Sequence, residues 1–306
     1  MVQNLIARLP SKFSYAAYYF FKRNFGSPYD ATPVSHLTEG IKLARYIIQQ
    51  GRVIGDKTFL EVGTGYRLNI PIVLWLLGAS RVITVDLNPY LKTALVLEDI
   101  SYMRHHKQEI QTLFADLQSP GFAERFRQLT EAENNLPHLL NMTGIEYLAP
   151  ADATGLDLAI RSVDFHISYT TLEHIPLKTL KSIIREGKRL LRPGGLFVHC
   201  IDFSDHFSHS DNSILPINFL QFNDLEWARL AGNRYMYHNR LRVDDFADLF
   251  SQTKLRILSM DTIINENARE ELRAGFPLDN RFIGKDVDTN ATTCAWVIAS
   301  NNEDQE

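Results

Sequence analysis

The chain has 306 residues, 45% of them apolar, enough to bury the core of one large domain or of one domain with additions. Its formal net charge of -4 supplies no overall basic field, so a nucleic-acid polyanion is not the expected partner. The two cysteines, Cys200 and Cys294, sit inside apolar runs and fit buried reduced thiols rather than a disulfide framework, which points to the cytosol.

Residues 1–52 read as an N-terminal helical extension. Arg8, Pro10 and Lys12 interrupt its apolar residues early, so no secretory leader is expected. No stretch of the chain reaches the roughly 18 to 20 uncharged apolar residues of a membrane-spanning helix. Phe13, Tyr15, Tyr18, Tyr19, Phe20 and Phe21, followed by Lys22 and Arg23, are expected to pack on the domain, with peripheral membrane contact as the second reading. Residues 35–50 carry Leu37, Ile41, Leu43, Ala44, Ile47 and Ile48 at helical spacing and stop before Gly51.

From Thr58 onward, short β-branched runs alternate with helical ones, the pattern of a parallel sheet covered on both faces. Strands are expected at 58–62, 81–86, 144–148, 163–168, 195–201, 255–264 and 292–299. Residues 88–140 are too long and polar for a simple connection and are expected to form an insertion of two or three helices. Residues 202–242, rich in aromatic and histidine side chains, read as a substrate-side insertion or lid. The span 58–201 is then the ligand-binding core, and 1–306 a single domain with a polar tail at 301–306.

Phe59-Leu60-Glu61-Val62-Gly63-Thr64-Gly65 is an apolar strand ending in an acid and a glycine turn, followed by the apolar helical run 70–77. Glycines there let the backbone approach a ligand closely while the next helix presents free N–H groups. A dinucleotide fingerprint would carry a third glycine, but Leu68 stands three beyond Gly65. Asp86 then ends the second strand, the position from which a carboxylate accepts hydrogen bonds from ribose hydroxyls. The blander reading of Asp86 is a capping acid before Asn88 and Pro89.

With these features together, 58–201 resembles class I S-adenosylmethionine-dependent methyltransferases. Glu61-Val62-Gly63-Thr64-Gly65 is similar to their first motif and Asp86 to their ribose-binding acid. Asp152-Ala153-Thr154 is similar to the adenine-side segment, 164–175 to the fourth-strand motif, and Leu191-Arg192-Pro193-Gly194-Gly195 to the turn into the fifth strand. The resemblance implies a Rossmann-like seven-stranded, mostly parallel sheet with helices on both faces and its last strand antiparallel. It implies S-adenosyl-L-methionine as cofactor, contacted by Glu61, Gly63, Thr64, Gly65, Asp86, Leu87, Asp152, Ala153, Ser168 and Tyr169. Arg67 stands where many of these enzymes carry another glycine.

A sulfonium methyl is already activated, so the protein has mainly to position the acceptor, and a hydroxyl acceptor gains from a general base. The base candidates lie just past the fifth strand, where a histidine beside a carboxylate suits proton removal: His206 paired with Asp205, then His209. His174, in the fourth-strand motif, is a further candidate. Each has the plainer reading of a polar loop residue. An Asp-His-x-x-His cluster also suits a metal, but no third ligand is identifiable, so no metal is expected.

The Asn-Pro-Pro-Tyr type motif of amino-directed nucleic-acid methyltransferases is absent after the fourth strand, where Ser168-Tyr169-Thr170-Thr171 stands instead. A looser resemblance over 202–250, carried by 218–227, Tyr237 to Arg242 and Asp245, is to bacterial methyltransferases linked to surface-polysaccharide synthesis. It implies O-methylation of a saccharide or other small molecule. Phe219, Phe222, Trp227, Tyr235 and Tyr237 would stack on sugar faces, and Asn239 and Arg240 would bind hydroxyls or phosphates, unless they form the core of a lid. The competing readings are a quinone-like lipid or protein side chain as acceptor, or cofactor binding without catalysis.

Overall fold

The computed structural model describes residues 6–10, 13–15, 17–20, 32–117 and 119–301. Phe21, Lys22, Arg23 and the tail 302–306 lie outside the described residues. In chain order the leading helix α1 (Val34–Gln49) is followed by β1 (Thr58–Val62), α2 (Asn69–Leu76) and β2 (Arg81–Val85). The insertion folds as α3 (Thr93–His105), α4 (Lys107–Leu113), α5 (Phe122–Glu131) and α6 (Leu136–Thr143) before β3 (Ile145–Leu148). Then come β4 (Val163–Tyr169), α7 (Leu177–Leu190), β5 (Leu191–Asp202), α8 (Asp224–Ala231), α9 (Val243–Gln252) and β6 (Leu255–Ile264). Three short helices, α10 (Glu266–Arg273), α11 (Asn280–Ile283) and α12 (Val287–Ala291), precede β7 (Thr292–Asn301).

The seven strands form one sheet in the order β3-β2-β1-β4-β5-β7-β6. β1, β2, β3, β4 and β5 pair in parallel, and β7 is antiparallel to both neighbours. Side chains alternate between faces as the period of two demands. Phe59, Val82, Phe165 and Val198 pack with α1 to α6, while Leu60, Ile83, Phe197 and Ile201 pack with α7 and α9. α2 is buried over its whole length, which fits the unbroken apolar run that follows Asn69. α7 instead buries the stripe Leu180, Ile183, Ile184, Gly187 and Leu190, the spacing of an amphipathic helix. The insertion has four helices where two or three were expected, because Gly121 and the extended Asn135 break it again.

Cys200 and Cys294 are free thiols with their sulfurs 3.6 Å apart across β5 and β7. Among the described residues no helix is long and apolar enough to cross a membrane. Of the N-terminal aromatic residues, Tyr15 packs on Tyr90 and Tyr235, Tyr18 stacks on Tyr235 and Tyr19 meets Tyr66, while Phe13 and Phe20 are exposed.

Chain order reverses between β1 and β4, since β2 and β3 build outward on one side and β4 starts the other. The crevice at the carboxyl ends of these two strands is where ligands bind in open α/β sheets.

Candidate active site

The glycine turn after β1 forms one wall of the crevice. Gly63 (φ +94°) and Gly65 (φ +66°) adopt left-handed backbone that favours glycine. A Cβ on Gly63 would run into the Thr171 side chain, whereas one on Gly65 would meet nothing within 4 Å. The turn therefore packs against the fourth-strand motif at Gly63 and lies open at Gly65. Arg67 needs no glycine conformation; it turns away to pair with Asp99 and to donate to Leu95 O at 3.2 Å.

Asp86 is half-buried at the end of β2. Its Oδ2 accepts the Gly65 amide and its Oδ1 the Asn88 amide, both at 3.1 Å. Each oxygen retains a lone pair for another donor. Burial pushes this carboxyl up, against the pull of the amides. Glu61 lies deeper, on the same face of the sheet as Thr84, whose hydroxyl it accepts, and Thr64 Oγ1 sits 2.7 Å from Thr84 Oγ1. Burial, with the nearby Asp86 charge, pushes the Glu61 carboxyl up to about 8 against the Thr84 hydrogen bond. Leu87 is exposed beside Asp86. Ala151 N donates to Asp86 O at 2.9 Å and ties the third-strand loop to it; there Asp152 is exposed and accepts the Thr154 amide. Ala153 is half-buried nearby.

Ser168 and Tyr169 end β4 at the crevice with their side chains on opposite faces of the sheet. The period of two aims Ser168 at the α7 face, where it is buried with its hydroxyl 2.7 Å from His199 Nδ1. Tyr169 points to the opposite face, toward Trp296.

The other wall begins at Thr170, a β-branched residue held at φ +43°, and continues into the 3₁₀ turn Leu172–His174. Asn239 clamps that turn: its side-chain amide donates to Leu172 O and Ile175 O, each at 2.9 Å, and its backbone amide to Glu173 O at 2.8 Å. His174 meets Tyr237 O through Nδ1 at 2.9 Å; a carbonyl can only accept, so Nδ1 carries the proton.

His206 and His209 lie on a second 3₁₀ turn, His206–His209. The expected pairing of His206 with Asp205 is corrected here. Asp205 is buried and caps its own turn, accepting the Phe207 amide at 2.9 Å. The carboxylate that faces the histidines is Asp202 at the end of β5, with Oδ2 3.4 Å from His206 Nε2 and 3.6 Å from His209 Nε2. Ser204 donates its hydroxyl to Asp202 Oδ1 at 2.6 Å and lies 2.8 Å from His209 Nε2. Burial opposes ionisation of Asp202, but the His206 contact and the Ser204 hydrogen bonds hold its carboxyl well below the usual range. Burial lowers His209, partly offset by Asp202.

Two residues of this basin carried no signal in the sequence. His238 is buried with Nδ1 accepting the Arg240 amide at 2.9 Å, which leaves its proton on Nε2, an atom without a partner. Glu173 is buried and neither carboxylate oxygen makes a hydrogen bond; the amides of Glu173 and Asp202 approach it, yet burial and the Asp202 charge drive its carboxyl well above the usual range. The rings of His174, His209 and His238 lie 4.9, 4.9 and 5.1 Å from that of His206.

The expected sugar-binding roles of the 218–242 segment are largely taken up by packing. Phe219 and Trp227 are buried in a third apolar cluster with Phe282, with Phe222 packed against it, and Tyr235 is covered by Tyr18. Arg240 is buried and donates to Phe219 O, Phe222 O and Asp224, which leaves it unable to reach a phosphate. Asn239 is spent on the clamp.

Residues 60–199 match the family described as "Methyltransferase domain". The matched span is that of a methyltransferase domain and covers under half of the chain. The matched span includes the glycine turn, Asp86 and the turn Leu172–His174 that line the crevice. No curated protein matches the chain in sequence. Among solved structures, it is similar to an S-adenosylmethionine-dependent methyltransferase from Methanosarcina mazei, at 17% identity over 83% of this chain and 96% of that one, with a TM-score of 0.43. It is also similar to one from Mesorhizobium loti, at 16% identity over 83% and 95%, TM-score 0.44. A third is the magnesium protoporphyrin IX methyltransferase of Synechocystis with bound S-adenosylhomocysteine, at 12% identity over 88% and 84%, TM-score 0.44.

Proposed function

We propose that the enzyme transfers the methyl group of S-adenosylmethionine to a hydroxyl of a small-molecule or saccharide acceptor, with the adenosine held between the glycine turn and Asp86. The observation that carries this reading is the polar basin of His174, His206, His209 and Asp202, which stands beside the glycine turn because Gly63 packs on Thr171, three residues before His174. Asp86 offers free lone pairs to the ribose hydroxyls, and Gly65 leaves room for the nucleoside. Glu61, Thr64, Leu87, Asp152, Ala153 and the backbone of Ser168 and Tyr169 complete the cofactor side. Bound there, the cofactor would supply an activated methyl group to the acceptor oxygen and leave as S-adenosylhomocysteine. His206, with Asp202 3.4 Å from its Nε2, would take the hydroxyl proton, leaving a methyl ether. The resemblance of 202–250 to enzymes of surface-polysaccharide synthesis supports a saccharide as that acceptor.

The test is methyl transfer from labelled cofactor to a panel of nucleotide sugars, oligosaccharides, quinone-like lipids and peptides. Label on a saccharide hydroxyl, lost in His206→Ala with cofactor affinity retained, is the expected result. Transfer to lipid or peptide alone, or binding with no turnover, would reject it.

A further inference from the structure

The basin contains more ligating groups than proton transfer requires. Glu173, His174 and His206 each bring one donor atom to within 4.8 Å of the others. We infer that these three side chains bind a single divalent transition-metal ion.

Glu173 carries the argument. It is buried, its two oxygens make no hydrogen bond, and the charge acting on it most is a second carboxylate, Asp202, rather than a cation. A buried polar group without a partner costs free energy, and native proteins almost always supply one. Protonation alone would not supply it, because the new O–H would also lack an acceptor. A cation bound at this point satisfies the carboxylate directly.

The imidazoles are prepared for the same ion. The Tyr237 carbonyl fixes the proton of His174 on Nδ1, 2.9 Å away. A backbone carbonyl on the far ring nitrogen is the usual outer support of a metal-bound histidine. His206 Nε2 is buried without a hydrogen bond; Asp202 stands 3.4 Å away, out of hydrogen-bond alignment. The turn that bears Glu173 and His174 is itself held rigid by Asn239.

Ligand chemistry selects the ion. Two imidazole nitrogens and one carboxylate suit zinc, cobalt, manganese or iron(II), whereas calcium and magnesium favour all-oxygen sets. Bonds of about 2.1 Å in a tetrahedral site require about 3.4 Å between donor atoms, so the side chains close inward by roughly an ångström on loading. Three protein ligands leave at least one position open to the basin. A hydroxyl bound there would be acidified by the ion, and because a ligated His206 cannot take its proton, His209 and Asp202 replace His206 as the acceptor in the loaded enzyme. This last consequence rests on the methyl-transfer reading; the metal site does not.

The experiment uses the full chain, freed of metal with a chelator that is then removed, and titrated with zinc by calorimetry and with cobalt(II) by visible absorption, without cofactor or acceptor. One equivalent of bound metal is expected, with a cobalt d–d spectrum of low coordination number, weakened at least tenfold in Glu173→Gln and in His174→Ala and unchanged in the surface control His105→Ala. Circular dichroism confirms that the variants fold. Absence of stoichiometric binding, or binding that survives both substitutions, overturns the proposal. Methyl transfer is measured separately on the chelated and reloaded protein, so loss of the acceptor reading and loss of the metal site are told apart.

Discussion

Replacing Asp86 gives the sharpest test of the cofactor side. In the native protein its two oxygens each accept one backbone amide at 3.1 Å, from Gly65 and Asn88, and each keeps a lone pair for a ribose hydroxyl. A hydrogen bond to a charged group contributes about 1.5–3 kcal/mol. Asp86 is only half-buried, so the lower end applies, and losing two such bonds costs about 3 kcal/mol, a loss of roughly 150-fold in affinity. Asp86→Ala should therefore weaken S-adenosylmethionine and S-adenosylhomocysteine by about two orders of magnitude in calorimetric titration. Asp86→Asn, which keeps one oxygen but no charge, should fall between. Because the substitution also frees the Gly65 amide, thermal unfolding without ligand is measured in parallel, and only a small shift is expected there. Affinity within twofold of native in Asp86→Ala would refute the assignment.

Other substitutions probe the frame around the crevice. Arg242 is fully buried and donates to the carbonyls of Phe203, Thr289, Asn290 and Thr292, so Arg242→Met should cost about 3–5 kcal/mol of stability; a loss below about 1 kcal/mol in denaturant unfolding would contradict this. Gly63→Ala combines a left-handed φ of +94° with a collision at Thr171 and should destabilise by more than the roughly 1–2 kcal/mol expected for Gly65→Ala, where the added Cβ meets open space; equal losses would count against the packing. Glu61 is raised to about 8 in the fold, so the native state holds its proton where the unfolded chain, near 4.5, has lost it. Its contribution is therefore intact below pH 4.5 and is lost as pH rises toward 8, by about 5 kcal/mol at most. Glu61→Gln should become progressively more favourable relative to native between pH 5 and 8 in denaturant melts, and a pH-independent difference would disprove the shift.

The strands were legible because β-branched runs and alternating faces repeat the geometry of a sheet, and the glycine turn and Asp86 because local spacing alone brings them together. The side-chain direction of Ser168 was legible as well, since the period of two groups it with His166 on the α7 face. Asp205, by contrast, misled. Adjacency to His206 suggested a pair, but an aspartate preceding a tight turn caps the amide two residues on, and the acid one turn earlier, Asp202, faces the rings instead. Glu173 and His238 are 65 residues apart, and their segments are joined by the clamp from Asn239, a contact that no periodicity encodes.

That clamp also bears on how such an enzyme is re-engineered. Since one carboxamide bolts the appended segment to the turn bearing Glu173 and His174, the segment is a fixed wall and not a door. A chimaera that imports a new segment ending before residue 239 would leave the bolt in place, whereas one that cuts beyond it must import the matching turn as well or forfeit the alignment of both.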